Sequence, residues 1–165
     1  MDLGCSFTGH RKIEVRHKKE IYPLIERAVD YAYREGCRRF YTGGAIGFDT
    51  LSARAVINFR ISHPDVSLIL VLPCIDQDKA WSAEERDAYG FVLSVANEIV
   101  YVSDEYYVGC MKDRNEKLAE LGDLLIAYLG NAKSGAGQTV RMAQKLGKRV
   151  YNLYPALEKE RSKKD

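Results

Sequence analysis

Val66-Ser67-Leu68-Ile69-Leu70-Val71-Leu72-Pro73 is the stretch that decides the fold. Residues 68–72 are apolar at every position, and Pro73 stops the run. A strand wet on one face alternates apolar and polar residues. A continuous run instead suits a strand buried on both faces, inside a parallel sheet covered by helices. The flanking chain repeats the theme. Upstream, residues 3–8 are short and β-prone and stop at Gly9. Residues 18–35 then carry Ile21, Leu24, Ile25, Ala28, Val29 and Ala32 at helical spacing, with Gly36 as the stop. Residues 39–42 read as a strand ending at Gly43-Gly44, and a helix over about residues 49–59 follows. Downstream, helices over 82–96, 112–121 and 138–146 alternate with strands over 98–102, 123–128 and 149–153. Six strands alternating with five helices predict an α/β, Rossmann-like, doubly wound and mainly parallel sheet with helices on both faces. Residues 1–155 are expected to form this one domain, and the charged residues 156–165 a frayed tail.

Composition bounds the function. The chain has 165 residues, about one domain. Lys plus Arg is 25 against 23 Asp plus Glu, a net charge of +2. That balance argues against a dedicated polyanion binder, which is usually strongly basic. The longest apolar run is far short of the ~20 residues of a membrane helix. The first residues, Met1-Asp2-Leu3-Gly4, lack the basic segment and apolar core of a signal peptide. The expectation is a cytoplasmic protein without a membrane partner. Cys5, Cys37, Cys74 and Cys110 are widely spaced, with no Cys-x-x-Cys, which supports neither a disulfide framework nor a zinc site. No cofactor and no metal are expected, and Asp76 and Asp78 read as a solvated loop.

In an open parallel sheet, ligands bind outside the carboxyl ends of the strands, so the residues after each strand carry the information. These are Thr8-Gly9-His10-Arg11, then Thr42-Gly43-Gly44-Ala45-Ile46-Gly47-Phe48-Asp49, then Ser103 and Asp104, then the stretch Gly130 to Gly137 leading into Gln138 and Thr139. Two glycine-rich turns each enter a helix, where free N–H groups and the positive helix end can hold phosphate. Arg11 and Arg114 can add charge-assisted hydrogen bonds. Plainer readings stand beside these. His10-Arg11 reads equally as an exposed polar pair, Asp49 as a helix cap, and Arg114-Asn115 as a solvated helix face.

Several of these segments resemble a known family. Phe7-Thr8-Gly9-His10-Arg11, the segment Thr42 to Asp49, Trp81 after Pro73, Tyr106-Tyr107 followed by Arg114-Asn115, and Thr139-Val140-Arg141-Met142-Ala143-Gln144-Lys145 resemble signatures of the YpsA-like family. That family lies in the SLOG superfamily with DprA and the LOG phosphoribohydrolases. The resemblance runs from about residue 3 to residue 153. It implies a Rossmann-like domain that binds a nucleotide-derived small molecule, such as ADP-ribose or a cyclic relative, as a sensor or sequestering protein. A homodimer or higher homo-oligomer is the expected assembly. The implied binding set is Thr8, Gly9, His10, Arg11, Thr42, Gly43, Gly44, Gly47, Asp49, Arg114, Asn115, Ser134, Gly135, Gly137 and Thr139. In that set the glycines admit phosphate to the backbone, the hydroxyls donate, and Asp49 accepts from a ribose.

The chain departs from LOG enzymes at one informative place. Their motif Pro-Gly-Gly-x-Gly-Thr-x-x-Glu ends in a catalytic Glu, whereas Ser134-Gly135-Ala136-Gly137-Gln138-Thr139-Val140-Arg141 holds no carboxylate there. No catalytic residue is therefore assigned. Two alternatives remain: a LOG-like nucleotide N-glycosidase using Glu84, Glu85 or Asp104, and a DprA-like binder of single-stranded DNA.

Overall fold

The computed structural model describes residues 2–164. In chain order the elements are β1 (Leu3–Gly9), α1 (Ile21–Arg34), β2 (Cys37–Thr42), α2 (Phe48–Ser62), β3 (Ser67–Leu72), α3 (Ala83–Val95), β4 (Glu98–Tyr101), α4 (Cys110–Leu121), β5 (Leu124–Tyr128), α5 (Gly135–Lys145), β6 (Arg149–Asn152) and α6 (Tyr154–Lys164). One 3-10 turn, Val15–His17, lies between β1 and α1. The strands form one sheet in the order β4-β3-β2-β1-β5-β6, and every neighbouring pair is parallel. The chain thus winds outward from β1 to β4, then returns to place β5 on the other side of β1.

The period-two alternation of strands distributes side chains to two layers. Leu68, Leu70 and Leu72 of β3 join Cys5 and Phe7 of β1 and Leu124, Ile126 and Tyr128 of β5 in the larger core, against α1, α2 and α3. Ile69 and Val71 point to the other face, against Leu118 of α4. Leu125 and Ala127 meet Val140 and Ala143 of α5 there. The all-apolar run thus supplies both layers, as its composition predicts.

Local chemistry fixes the helix starts. Ser82 and Glu85 form a reciprocal capping box at α3, with N–H to side-chain oxygen distances of 3.1 and 2.9 Å. Ser134 caps α5 by accepting from the Gly137 N–H at 3.1 Å. The helix therefore begins at Gly135, three residues before the sequence expectation. The larger departure is at the C-terminus, where the expected frayed tail enters a sixth helix instead. Leu157 is buried in the larger core. Glu158 Oε1 lies 2.7 Å from Nε2 of the buried His17 and accepts from Arg16 Nε at 2.8 Å. His17 Nδ1 in turn lies 2.7 Å from the Tyr128 hydroxyl, which ties α6 to β5. Residue 165 lies outside the described residues. Among the described residues no helix is long and apolar enough to cross a membrane. All four cysteines are buried and free.

Candidate ligand-binding site

The strand order reverses between β1 and β5, and the carboxyl ends of these strands open a crevice at that point. A cleft of about 320 Å³ sits there. The end of β1 supplies Thr8 and Gly9 and the turn after it His10 and Arg11; Ala45 comes from the turn entering α2 and Asp49 from the first turn of that helix. Met111, Arg114 and Asn115 come from the first turns of α4, and Ser134, Gly135 and Ala136 from the start of α5.

At α5, Ser134 consumes the Gly137 N–H and donates its own hydroxyl to Asn131 O at 2.7 Å. Among the described residues no protein acceptor takes the N–H groups of Gly135 and Ala136. These two donors lie at the positive end of the helix, in residues that line the cleft. His10 closes one side. Its Nε2 accepts from the N–H of Gly130 at 2.8 Å and of Asn131 at 3.1 Å, which sets the neutral ring with the proton on Nδ1. Partial burial pushes the His10 imidazole below its usual range, against the opposing pull of the Glu14 carboxylate.

The floor holds a buried pair of opposite charges. Arg114 is only 7% exposed; Nη1 donates to Gly43 O at 2.7 Å and Nε to Asn115 Oδ1 at 3.0 Å. Burial pulls its guanidinium down from the usual range and the Asp49 carboxylate pushes it back up; Arg114 remains a cation. Asp49 is 5% exposed, and its Oδ2 accepts from the Ala45 N–H at 3.2 Å. Its Oδ1 has no hydrogen-bond partner. Burial pushes the Asp49 carboxyl up to about 6, opposed by Arg114, the Ala45 N–H and Arg11. Asp49 Oδ1 is thus a buried acceptor in the cleft floor that the protein itself leaves unmatched. Neither plain reading of these residues holds in the structure. Asp49 does not cap α2, whose cap is Gly47, and Arg114 is not on a solvated face.

Nine of the fifteen residues in the predicted set line this cleft: Thr8, Gly9, His10, Arg11, Asp49, Arg114, Asn115, Ser134 and Gly135. Of the other six, Gly47 lines a neighbouring cavity and five stand behind the cleft. Thr42 and Thr139 are fully buried, their hydroxyls turned to the Asp49 and Gly135 carbonyls at 3.5 and 3.2 Å. A Cβ at Gly43 would come within 2.5 Å of Arg114 Nη1, and one at Gly44 within 2.5 Å of Leu72 Cδ2. At Gly47 (φ 82°) and Gly137 an added Cβ would run into the carbonyls of Arg11 and Ala132. These glycines admit the protein's own side chains and backbone. Met111, Ala45 and Ala136 were missed; Met111 alone had a signal, one helical turn before Arg114 and Asn115.

An all-parallel α/β sheet flanked by helices, with a cleft at its switch point, defines a Rossmann-like domain. The YspA SLOG family (YpsA) matches residues 5–154, so the chain belongs to that family. It is 30% identical over 152 residues to the uncharacterized SPbeta prophage-derived protein YoqJ of Bacillus subtilis, covering 84% of this chain and 87% of YoqJ. It is 23% identical over 156 residues to a UPF0398 protein of Bacillus thuringiensis, covering 89% and 85%. In structure it is similar to DNA processing protein A of Helicobacter pylori, described for its single-stranded DNA binding mode, with a TM-score of 0.64 and 21% identity. That match covers 90% of this chain but only 63% of the DNA processing protein, and at this identity it shows a shared fold.

Proposed function

We propose that the cleft binds the phosphate-bearing part of a nucleotide-derived small molecule, of which ADP-ribose is the type, and that the protein acts as its sensor or sink. The observation that carries this reading is the convergence of three kinds of group at the switch point. The Gly135 and Ala136 N–H groups and the Arg11 and Arg114 guanidiniums favour an anion, and Asp49, the carboxyl residue in the cleft lining, supplies an acceptor for a ribose hydroxyl.

The N-glycosidase alternative finds less support. Of its three candidate carboxylates, Glu84 and Glu85 line the neighbouring cavity and not the cleft where the phosphate donors converge, and Asp104 lines neither. Asp49 is the single carboxylate lining the cleft. The DNA-binding alternative has the likeness to DNA processing protein A in its favour, and it predicts affinity that falls steeply with salt.

The test is a thermal-shift and calorimetric comparison of AMP, ADP-ribose and an oligothymidylate, with mass spectrometry of the recovered ligand. A ligand at 100 times its Kd stabilises by about 2.7 kcal/mol, roughly 5–10 °C for a chain of this length. Gly135→Asp is the matching variant. A Cβ at Gly135 meets only Asn115 Nδ2, at 3.7 Å, and a carboxylate in the first turn suits the helix dipole. The variant should keep the Tm of the unliganded protein and lose the ligand shift. Unchanged affinity in the variant refutes the placement, and recovery of cleaved ligand refutes the non-catalytic reading.

A further inference from the structure

A second cavity, of about 500 Å³, lies beside the cleft, and Arg11 lines both. We propose that the two are chambers of one site, and that the ligand is a two-ended nucleotide: a nucleoside joined through a pyrophosphate to a second ribose or nucleoside, with Arg11 over the joint. This rests on the reading of the cleft as a nucleotide site.

The partition between the chambers is thin. Gly47 sits against the carbonyl of Arg11 so closely that an added Cβ would strike it, so the two backbones touch with no side chain between them. A ligand crossing this ridge passes over that backbone contact, beside Arg11, the residue common to both linings. The second chamber also has the mixed lining that an aromatic base with a polar rim needs. Its apolar wall is Ile13, Ile21, Ile46 and Leu51, with the Tyr22 ring beside them.

Its rim carries charge that the protein itself leaves unused. Lys18, Arg54 and Arg11 form no ion pair and no side-chain hydrogen bond among the described residues. Glu84 and Glu85 line the same cavity, yet neither is within ion-pair distance of those cations. Glu85 is partly occupied, because Oε1 accepts the Ser82 N–H in the α3 cap. Cations and carboxylates held apart around one cavity complement a group that brings both an anion and N–H or O–H donors. A phosphoryl group with an amino-bearing base or a ribose has that composition. Size points the same way. The cleft alone is at the lower end of the ~300–1,000 Å³ typical of small-molecule sites, and it suits one nucleotide half.

The experiment is isothermal titration of the full chain with AMP, ADP-ribose and NAD, repeated on a Lys18→Ala/Arg54→Ala double variant. Both side chains are exposed, so the variant folds. The wild type is expected to bind ADP-ribose or NAD at least about tenfold more tightly than AMP. The double variant should lose most of that advantage while Gly135→Asp abolishes binding of all three. Equal affinities for AMP and the two-ended ligands in the wild type overturn the second chamber and leave the cleft reading standing. So does an equal loss for all ligands in the double variant. Failure of the wild type to bind any of them overturns the cleft reading and this one with it.

Discussion

Replacing Asp49 by Asn tests the electrostatics of the cleft floor directly. The folded protein holds this carboxyl at about 6, chiefly through burial, whereas in the unfolded chain it titrates near its ordinary value of 3.8. A difference of about two units corresponds to about 3 kcal/mol. The sign follows from proton counting. Between about pH 4 and 6 the folded state keeps a proton that the unfolded state has lost, so Asp49 makes stability fall as pH rises through that window and level off above it. Asn has the shape of the neutral acid and does not titrate. Its own cost beside the Arg114 guanidinium is present at every pH and cancels in the comparison. The Tm of Asp49→Asn minus that of the wild type should therefore grow between pH 4 and pH 8 by roughly 6–12 °C, taking 2–4 °C per kcal/mol for this chain length. Circular dichroism melts at unit pH intervals measure it. A Tm difference that stays constant over that range would refute the claim that burial raises the Asp49 carboxyl on folding.

Two further outcomes follow from the fold. Because the His10 pKa lies below its usual 6.5, the unfolded chain protonates there first, so His10 supports the fold above that pH and the support is lost as pH falls through the folded value. The amide resonances of Gly130 and Asn131, which donate to its Nε2, should titrate in heteronuclear NMR with an apparent pKa under 6.5; a value at or above 6.5 contradicts the assignment. Leu157→Ala removes a side chain that is 2% exposed in the larger core and should cost about 2–5 kcal/mol in urea denaturation. A loss under about 1 kcal/mol would mean that α6 does not contribute its side chain to the core.

The layer structure was legible because strand burial is written locally. An apolar run at residues 68–72 admits few other readings, and the helical spacing in residues 18–35 names the face that Ile21, Ile25 and Val29 bury. Helix ends were less so. Ser134 can act as a turn residue or as a cap, and only its bond to the Gly137 N–H separates the two. The terminal helix offered Leu157 as its one buried apolar residue, and what holds it, the Arg16–Glu158–His17 contact, joins residues more than a hundred positions apart.

The site shows a sharper limit. Glycine at a strand end signals that something approaches the backbone closely, but not what approaches. At Gly43 the visitor is Arg114 and at Gly44 it is Leu72, so the motif most suggestive of phosphate serves to seat the cleft floor. Arg114 reads as solvated because arginine usually is. Its burial depends on the Gly43 carbonyl and the Asp49 carboxylate arriving from elsewhere in the chain. The same holds for Lys18 and Arg54, each an ordinary charge on its own segment. They become neighbours of Arg11 only when the segment after β1 folds back over the start of α2. Local patterns thus locate the edge of the sheet at which the cleft opens, while the charges around it are assembled by tertiary contacts. On the two-chamber proposal, substitutions at the exposed Lys18 and Arg54 therefore test ligand choice more directly than substitutions in the glycine turns, which disturb the fold first.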